Sequence, residues 1–330
     1  MDKTIRFGVG FLGDADVKEI VSNARLAEDM GFATCWVAED YFCGGAFSIA
    51  AACAAHTQRI RVAIGVLNPY TRHPALSAME AAALYRLSNG RLEVAIGASN
   101  KLWIEKQMGI PFAKPLSSVR DTVAIMRGVF AGEKFSYHGE AFSANDILPR
   151  TSKCEALPLL LGVKSEKMLH MAGQIADGVL LSVGTSANYV RWVKEELQKG
   201  AAVIGRDIKD YRISAYLIFS IDEDRELARS KVKTKLAYYL GLHGDNVIMQ
   251  QAGIAPELLT AFREGFLRGA YRTDLVTDEI IDALSVSGNP KECRQKLQAL
   301  LDAGVTEPVL FQIPEIPVEE NLGQIKTYLM

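Results

Sequence analysis

The stretch Ile64-Gly65-Val66-Leu67-Asn68-Pro69-Tyr70-Thr71-Arg72-His73-Pro74 holds the residue types best suited to chemistry. A glycine inside a strand of branched residues marks a bulge or the close approach of another molecule. Asn68-Pro69 ends the strand, and Arg72 and His73 lead into a helix opened by Pro74. A second set is Gly8-Val9-Gly10-Phe11-Leu12-Gly13, a G-x-G-x-x-G run before a helix, with Glu39 and Asp40 ending the next strand. That combination is the fingerprint of a dinucleotide site, and three features count against it. Only Ile5 to Phe7 precede the first glycine. The acidic pair comes about 26 residues after the last glycine, where the fingerprint wants about 20. Asp14 and Asp16 occupy the helix start, where like charge repels a pyrophosphate. These glycines are expected to serve the first strand and its turn. His56, His138, His170 and His243 lack metal-ligand spacing, and the 5 cysteines contain no C-x-x-C pair. Neither a metal site nor a disulfide framework is expected; Cys43, in a Gly-rich loop, is the thiol to watch.

Such residues need a scaffold, and the chain supplies a repeating one. Strand-like runs (Ile5 to Phe11, Thr34 to Ala38, Ile60 to Leu67, Leu92 to Ile96, Pro158 to Leu161, Gly178 to Ser182, Arg212 to Ser220, Pro308 to Phe311) alternate with helical stretches. Parallel strands need helical crossovers, and eight such units close a (β/α)8 TIM barrel of class α/β. Lys134 to Phe142 reads as a hairpin insertion. A mostly helical insertion of residues 222–284 falls between strands seven and eight. No Pro/Gly/Ser-rich linker interrupts the chain, so residues 1–330 read as one barrel domain. In such barrels chemistry sits at the C-terminal strand ends, which here are 10–13, 39–44, 65–73, 97–101, 162–165, 182–185 and the segment after Phe311.

Composition narrows the classes. Hydrophobic residues make up 49% of the 330, enough for a large core, and net charge is −2. That balance lacks the basic footprint of a nucleic-acid binder. The longest apolar runs fall far short of the roughly 18 residues of a membrane span. The N-terminal residues do not read as a signal peptide. A cytoplasmic protein acting on a small molecule is expected.

The strand-three segment resembles the signature of the bacterial luciferase-like family, in particular its coenzyme F420-dependent branch. Cys35-Trp36-Val37-Ala38-Glu39-Asp40-Tyr41 and Leu87-Ser88-Asn89-Gly90-Arg91, followed by Ala95-Ile96-Gly97, agree with it. Lys114-Pro115-Leu116-Ser117-Ser118-Val119-Arg120-Asp121, Met126-Arg127, Ala131-Gly132-Glu133-Lys134 and Ser285-Val286-Ser287-Gly288-Asn289-Pro290 are similar to the methylenetetrahydromethanopterin reductase group. The resemblance covers almost the whole chain.

It implies an oxidoreductase that moves a hydride between F420 and a small organic substrate, such as a methylene-tetrahydropterin or tetrahydrofolate C1 carrier. It also implies a non-prolyl cis peptide at Gly65–Val66, against which the ring leans. By carry-over, Leu67 and Asn68 line one edge of the ring, while Gly97, Ala98 and Ser99 let backbone approach. Gly162, Val163, Lys164 and Ser165 form a strand-to-helix corner suited to a phosphodiester, and Ser182 completes the rim. Glu39 and Asp40 flank the reactive centre. Adjacent carboxylates at a hydride site push one pKa upward and leave an acid near neutral pH. Asp40 is the first choice as proton handler and Glu39 the second. Two departures stand out: Gly10 replaces an expected strand-one acid, and Asp40 replaces a frequent histidine. An FMN-dependent monooxygenase or reductase is the alternative, and a non-catalytic flavin-binding protein the second. A homodimer through barrel helices is a further expectation, with the Ala-rich Pro74 to Leu87 helix permitting close packing.

Overall fold

Short apolar strands alternating with one-sided helices give the (β/α)8 architecture expected of them. The computed structural model describes residues 5–330. The elements begin β1 (Gly8–Phe11), α1 (Val17–Met30), β2 (Thr34–Val37), α2 (Ala46–His56), β3 (Arg61–Leu67), α3 (Pro74–Leu87), β4 (Leu92–Ile96) and α4 (Pro115–Ala131). A hairpin of β5 (Phe135–His138) and β6 (Ser143–Ile147) precedes β7 (Leu159–Leu161), α5 (Glu166–Ile175), β8 (Gly178–Leu181), α6 (Ala187–Val203) and β9 (Arg212–Ile221). The insertion carries α7 (Arg225–His243), α8 (Val247–Gln251), α9 (Pro256–Leu267) and α10 (Asp278–Leu284). The chain ends with β10 (Ser285–Gly288), α11 (Pro290–Ala303), β11 (Glu307–Phe311) and α12 (Val318–Tyr328). The eight barrel strands follow the order β1-β2-β3-β4-β7-β8-β9-β11, with β11 returning to β1.

The residues fall into two compact units. One spans Phe11–Leu180 and Leu197–Tyr211. Its parallel ladder β2-β3-β4-β7-β8 is braced at the N-terminal edge of β3 by two polar clamps. Arg91 donates to the carbonyls of Ala54, Thr57, Ile60 and Ser88 and to the Thr57 hydroxyl. From α1, Glu28 accepts the N–H groups of Gln58, Arg59 and Ile60. Burial opposes the charge on Glu28, but the three N–H donors prevail and hold its pKa below the usual carboxylate value. The turn before Arg91 needs left-handed backbone at Asn89 and Gly90, so the Leu87–Arg91 motif is structural. Asp121 of α4 pins the hairpin, accepting from Ala141 N, Phe142 N and the Tyr137 hydroxyl.

The other unit takes in residues 5–10, Leu181–Glu196 and Arg212–Met330. Here β1, β11 and β9 pair in parallel, and β10 adds a further parallel strand on β9. The sequence reading did not anticipate β10: Ser-Val-Ser-Gly is short and half polar, and only pairing makes it a strand. In the insertion Arg229, 1% exposed, binds Asp278 and Asp282 and ties α7 to α10.

The glycine run behaves as packing glycines should. A Cβ on Gly10 would lie 2.6 Å from the Tyr216 ring. A Cβ on Gly13 would meet the Gly44 carbonyl oxygen at 2.7 Å, and Gly44 N donates to Gly13 O. Asp16 caps α1 through Lys18 N.

Candidate active site

Parallel strands bring their C-terminal ends to one edge, so the segments after β2, β3, β4 and β7 share a rim. At the centre lies β3. Gly65–Val66 is a cis peptide bond. The ladder to β4 pairs Gly65 with Ala95 and then Leu67 with Ile96, leaving Val66 as the bulged residue. The bulge aims the Val66 side chain at two glycines on neighbouring strands. A Cβ on Gly97 would lie 2.6 Å from Val66 Cγ1 and 2.6 Å from the Gly162 carbonyl oxygen. A Cβ on Gly162 would lie 2.7 Å from Val66 Cγ2. On the other side a Cβ on Gly65 would strike Leu180 at 2.7 Å and Trp36 at 2.9 Å. Three strand ends therefore close on one valine without any side chain between them. Gly97 N donates to Leu67 O and Gly162 N to Ile96 O, so the ladder runs to the rim.

Beyond this floor the rim is polar. Asn68 is buried, and its Oδ1 accepts from Tyr70 N and Thr71 N, so its side chain shapes the loop after β3. Ala98 and Ser99 follow Gly97. Ser99 has left-handed backbone, φ 62°. Its Oγ is buried without a well-formed hydrogen bond, although the Tyr41 phenol is close. Val163 is buried at the corner after β7. Lys164 is exposed, yet the protein around it lowers the pKa of its amine. Ser165 caps α5 by position but makes no capping bond with its side chain, so the N–H groups of that first turn face outward. Ser182 follows β8 in the other unit.

The acidic pair is resolved into two environments. Glu39 Oε2 accepts Ala46 N at 3.2 Å, at the start of α2. Burial raises its pKa. The Ala46 bond pulls it back, nearby Glu80 raises it, Arg72 lowers it and Asp40 raises it, with a net upward shift. Arg72 spends its charge on Glu80, Nη2 to Oε1 at 2.7 Å. Asp40 lies toward Cys43, whose thiol pKa is raised by burial and then by Asp40 and Asp14. The surroundings of Glu39 thus shift its pKa toward the acid form. Glu80 and Arg72, which the sequence reading did not place beside β2, act on Glu39 in opposite directions. His73 is the N-cap of α3, its Nδ1 accepting from Ala75 N, and Nε2 pairs with Ser143 O. Its role is structural.

Aromatic groups gather on the same rim. Tyr41 and Trp103 meet with ring centroids 5.2 Å apart. Trp103 stands in a π-helical turn, Leu102–Gln107. No residue pattern in the sequence announces the π turn.

The family model described as luciferase-like monooxygenase matches residues 4–307. A 5,10-methylenetetrahydromethanopterin reductase from Methanolobus tindarius is 32% identical over 92% of this chain and 93% of its own. One from Archaeoglobus fulgidus is 30% identical over 92% of each. The solved structure of the coenzyme F420 dependent tetrahydromethanopterin reductase from Methanopyrus kandleri superposes with a TM-score of 0.90. It is 26% identical and covers 99% of this chain and 98% of that one.

Proposed function

The chain belongs to the luciferase-like monooxygenase family, and within it we propose an F420-dependent oxidoreductase that transfers a hydride to or from a methylene-tetrahydropterin. One observation carries this reading: the full-length match to reductases of that name, at 32% identity. The residues present fit the cofactor. Ser99 offers a buried hydroxyl beside the Tyr41 phenol, and Gly97 and Gly162 present bare backbone. Lys164 and the open N–H groups of α5 suit an anionic side chain. When bound, a deazaflavin supplies a hydride-carrying carbon and activates oxygen poorly. The Gly65–Asn68 segment would hold its ring, with Gly97, Ala98 and Ser99 along one edge and Gly162, Val163 and Lys164 toward its tail. Glu39, whose pKa burial and Glu80 raise, is the carboxyl that would hold the proton the substrate nitrogen needs. Asp40 is the neighbouring carboxylate that raises Glu39 further.

The test is a spectroscopic titration with F420 and FMN side by side. A saturable change with F420, at concentrations where FMN gives none, is the expected result. Binding of FMN alone, with oxygen consumed by the reduced form, sinks the reading.

We further propose that the enzyme serves one-carbon metabolism in the cytoplasm as a single-domain subunit of a homodimer. No helix among the described residues is long and apolar enough to cross a membrane. On α3, Leu76, Met79 and Leu87 are each about half exposed (48%, 47% and 51%). They share a face at helical spacing. Sedimentation at micromolar concentration is expected to give a dimer, and Met79→Lys a monomer. A wild-type monomer refutes the assignment.

A further inference from the structure

The polar site has an apolar border that the proton chemistry does not use. β2 and β4 both pair with β3, one on each side. Tyr41 follows β2 and Trp103 follows β4, yet their rings meet at 5.2 Å with a tilt of 52°. They must therefore join across the end of β3, beside Val66, Leu67 and Asn68. The Tyr41 phenol lies among Ser99 and Asn68, and burial raises its pKa. Phe42, its ring centroid 6.4 Å from that of Tyr41, has left-handed backbone and is 76% exposed. Leu102, next to Trp103, is 44% exposed. The π turn that carries Trp103 is fixed at its start, where Asn100 Oδ1 accepts from Trp103 N at 3.1 Å. Such turns re-aim a side chain and recur at functional sites.

We propose that Tyr41 and Trp103 form the wall on which a planar heterocyclic substrate stacks, with Phe42 and Leu102 extending it toward solvent. This rests on the reading above and specifies its substrate class. A small ketone or aldehyde would bury little of such a surface. A fused bicyclic ring covers it, and stacking on aromatic faces tolerates variation in the ring's substituents. Rigid rings also lose little conformational freedom on binding, so the wall selects by shape.

Trp103→Leu and Trp103→Phe are the test, read with methylenetetrahydromethanopterin and with F420. Trp103→Leu is expected to raise KM for the pterin by about tenfold and change kcat by less than about threefold, the mark of lost uniform binding. Its Kd for F420 should equal that of wild type. Trp103→Phe should recover most of the loss. In the F420-free protein the pterin should quench tryptophan fluorescence, and Trp103→Phe should abolish the quenching. A parallel loss of F420 affinity, or a lower Tm with unchanged KM, overturns the wall. Wild type that binds F420 but shows no pterin quenching overturns it too, leaving the F420 reading intact. Trp103-dependent quenching in a protein that binds no F420 keeps the wall and removes the F420 reading.

Discussion

Gly97→Ala is expected to abolish measurable F420 binding and to lower stability by about 2–3 kcal/mol. The reason is local. A methyl at this position meets Val66 Cγ1 at 2.6 Å and the Gly162 carbonyl oxygen at 2.6 Å. The valine can give way, but the carbonyl belongs to the backbone that accompanies the β7 ladder. Either β4 or β7 must move, and the rim moves with it. Gly162→Ala makes a sharper comparison, because its three nearest neighbours are all Val66 side-chain atoms, the closest at 2.7 Å. Adding Val66→Ala should therefore restore the stability of Gly162→Ala nearly in full and that of Gly97→Ala only in part. Thermal or urea unfolding measures both pairs, and F420 fluorescence titration reports the rim. Equal rescue at the two positions would show that side-chain crowding alone dictates these glycines.

These contacts also show what a sequence conveys and what it withholds. Branched residues in Arg61–Leu67 and Leu92–Ile96, and Pro at the starts of α3 and α11, are local signals. They fixed the strand order, the α3 and α11 boundaries and the hairpin's presence. Gly65 read as a bulge or the close approach of another molecule; the structure has the bulge, at Val66, and packs Leu180 and Trp36 against Gly65. Gly97 and Gly162 stood out as strand-ending glycines, but their common dependence on Val66 needs three strands side by side. β10 has no apolar pattern of its own and exists because β9 offers an open ladder. The environment of Glu39 depends on groups 33 and 41 positions further along, Arg72 and Glu80. Alternation along one strand carries no information about a helix that packs beside it.

Glu39→Gln follows from that placement and should have the largest effect on rate. If Glu39 is the proton donor, kcat falls by about 10²- to 10⁴-fold, while F420 and pterin still bind. The pH dependence gives the sign. Burial, Glu80 and Asp40 raise the Glu39 pKa above its ordinary 4.5, so the acid survives into less acidic solution than a free glutamate would. The wild-type rate should fall as pH rises through that shifted pKa, and the limb should vanish in Glu39→Gln. Glu80→Gln removes a negative neighbour and should move the limb to lower pH with kcat retained on its acid side. In Glu39→Gln, stability should respond in the opposite sense to rate. The folded state prefers protonated Glu39, so above the raised pKa ionisation costs folding free energy. A neutral amide avoids that cost, and Glu39→Gln should melt at or above the wild-type temperature at neutral pH. Asp40→Asn should keep the alkaline limb, shifted to lower pH by loss of its charge. Retention of full rate in Glu39→Gln, with collapse in Asp40→Asn, would transfer the proton to Asp40.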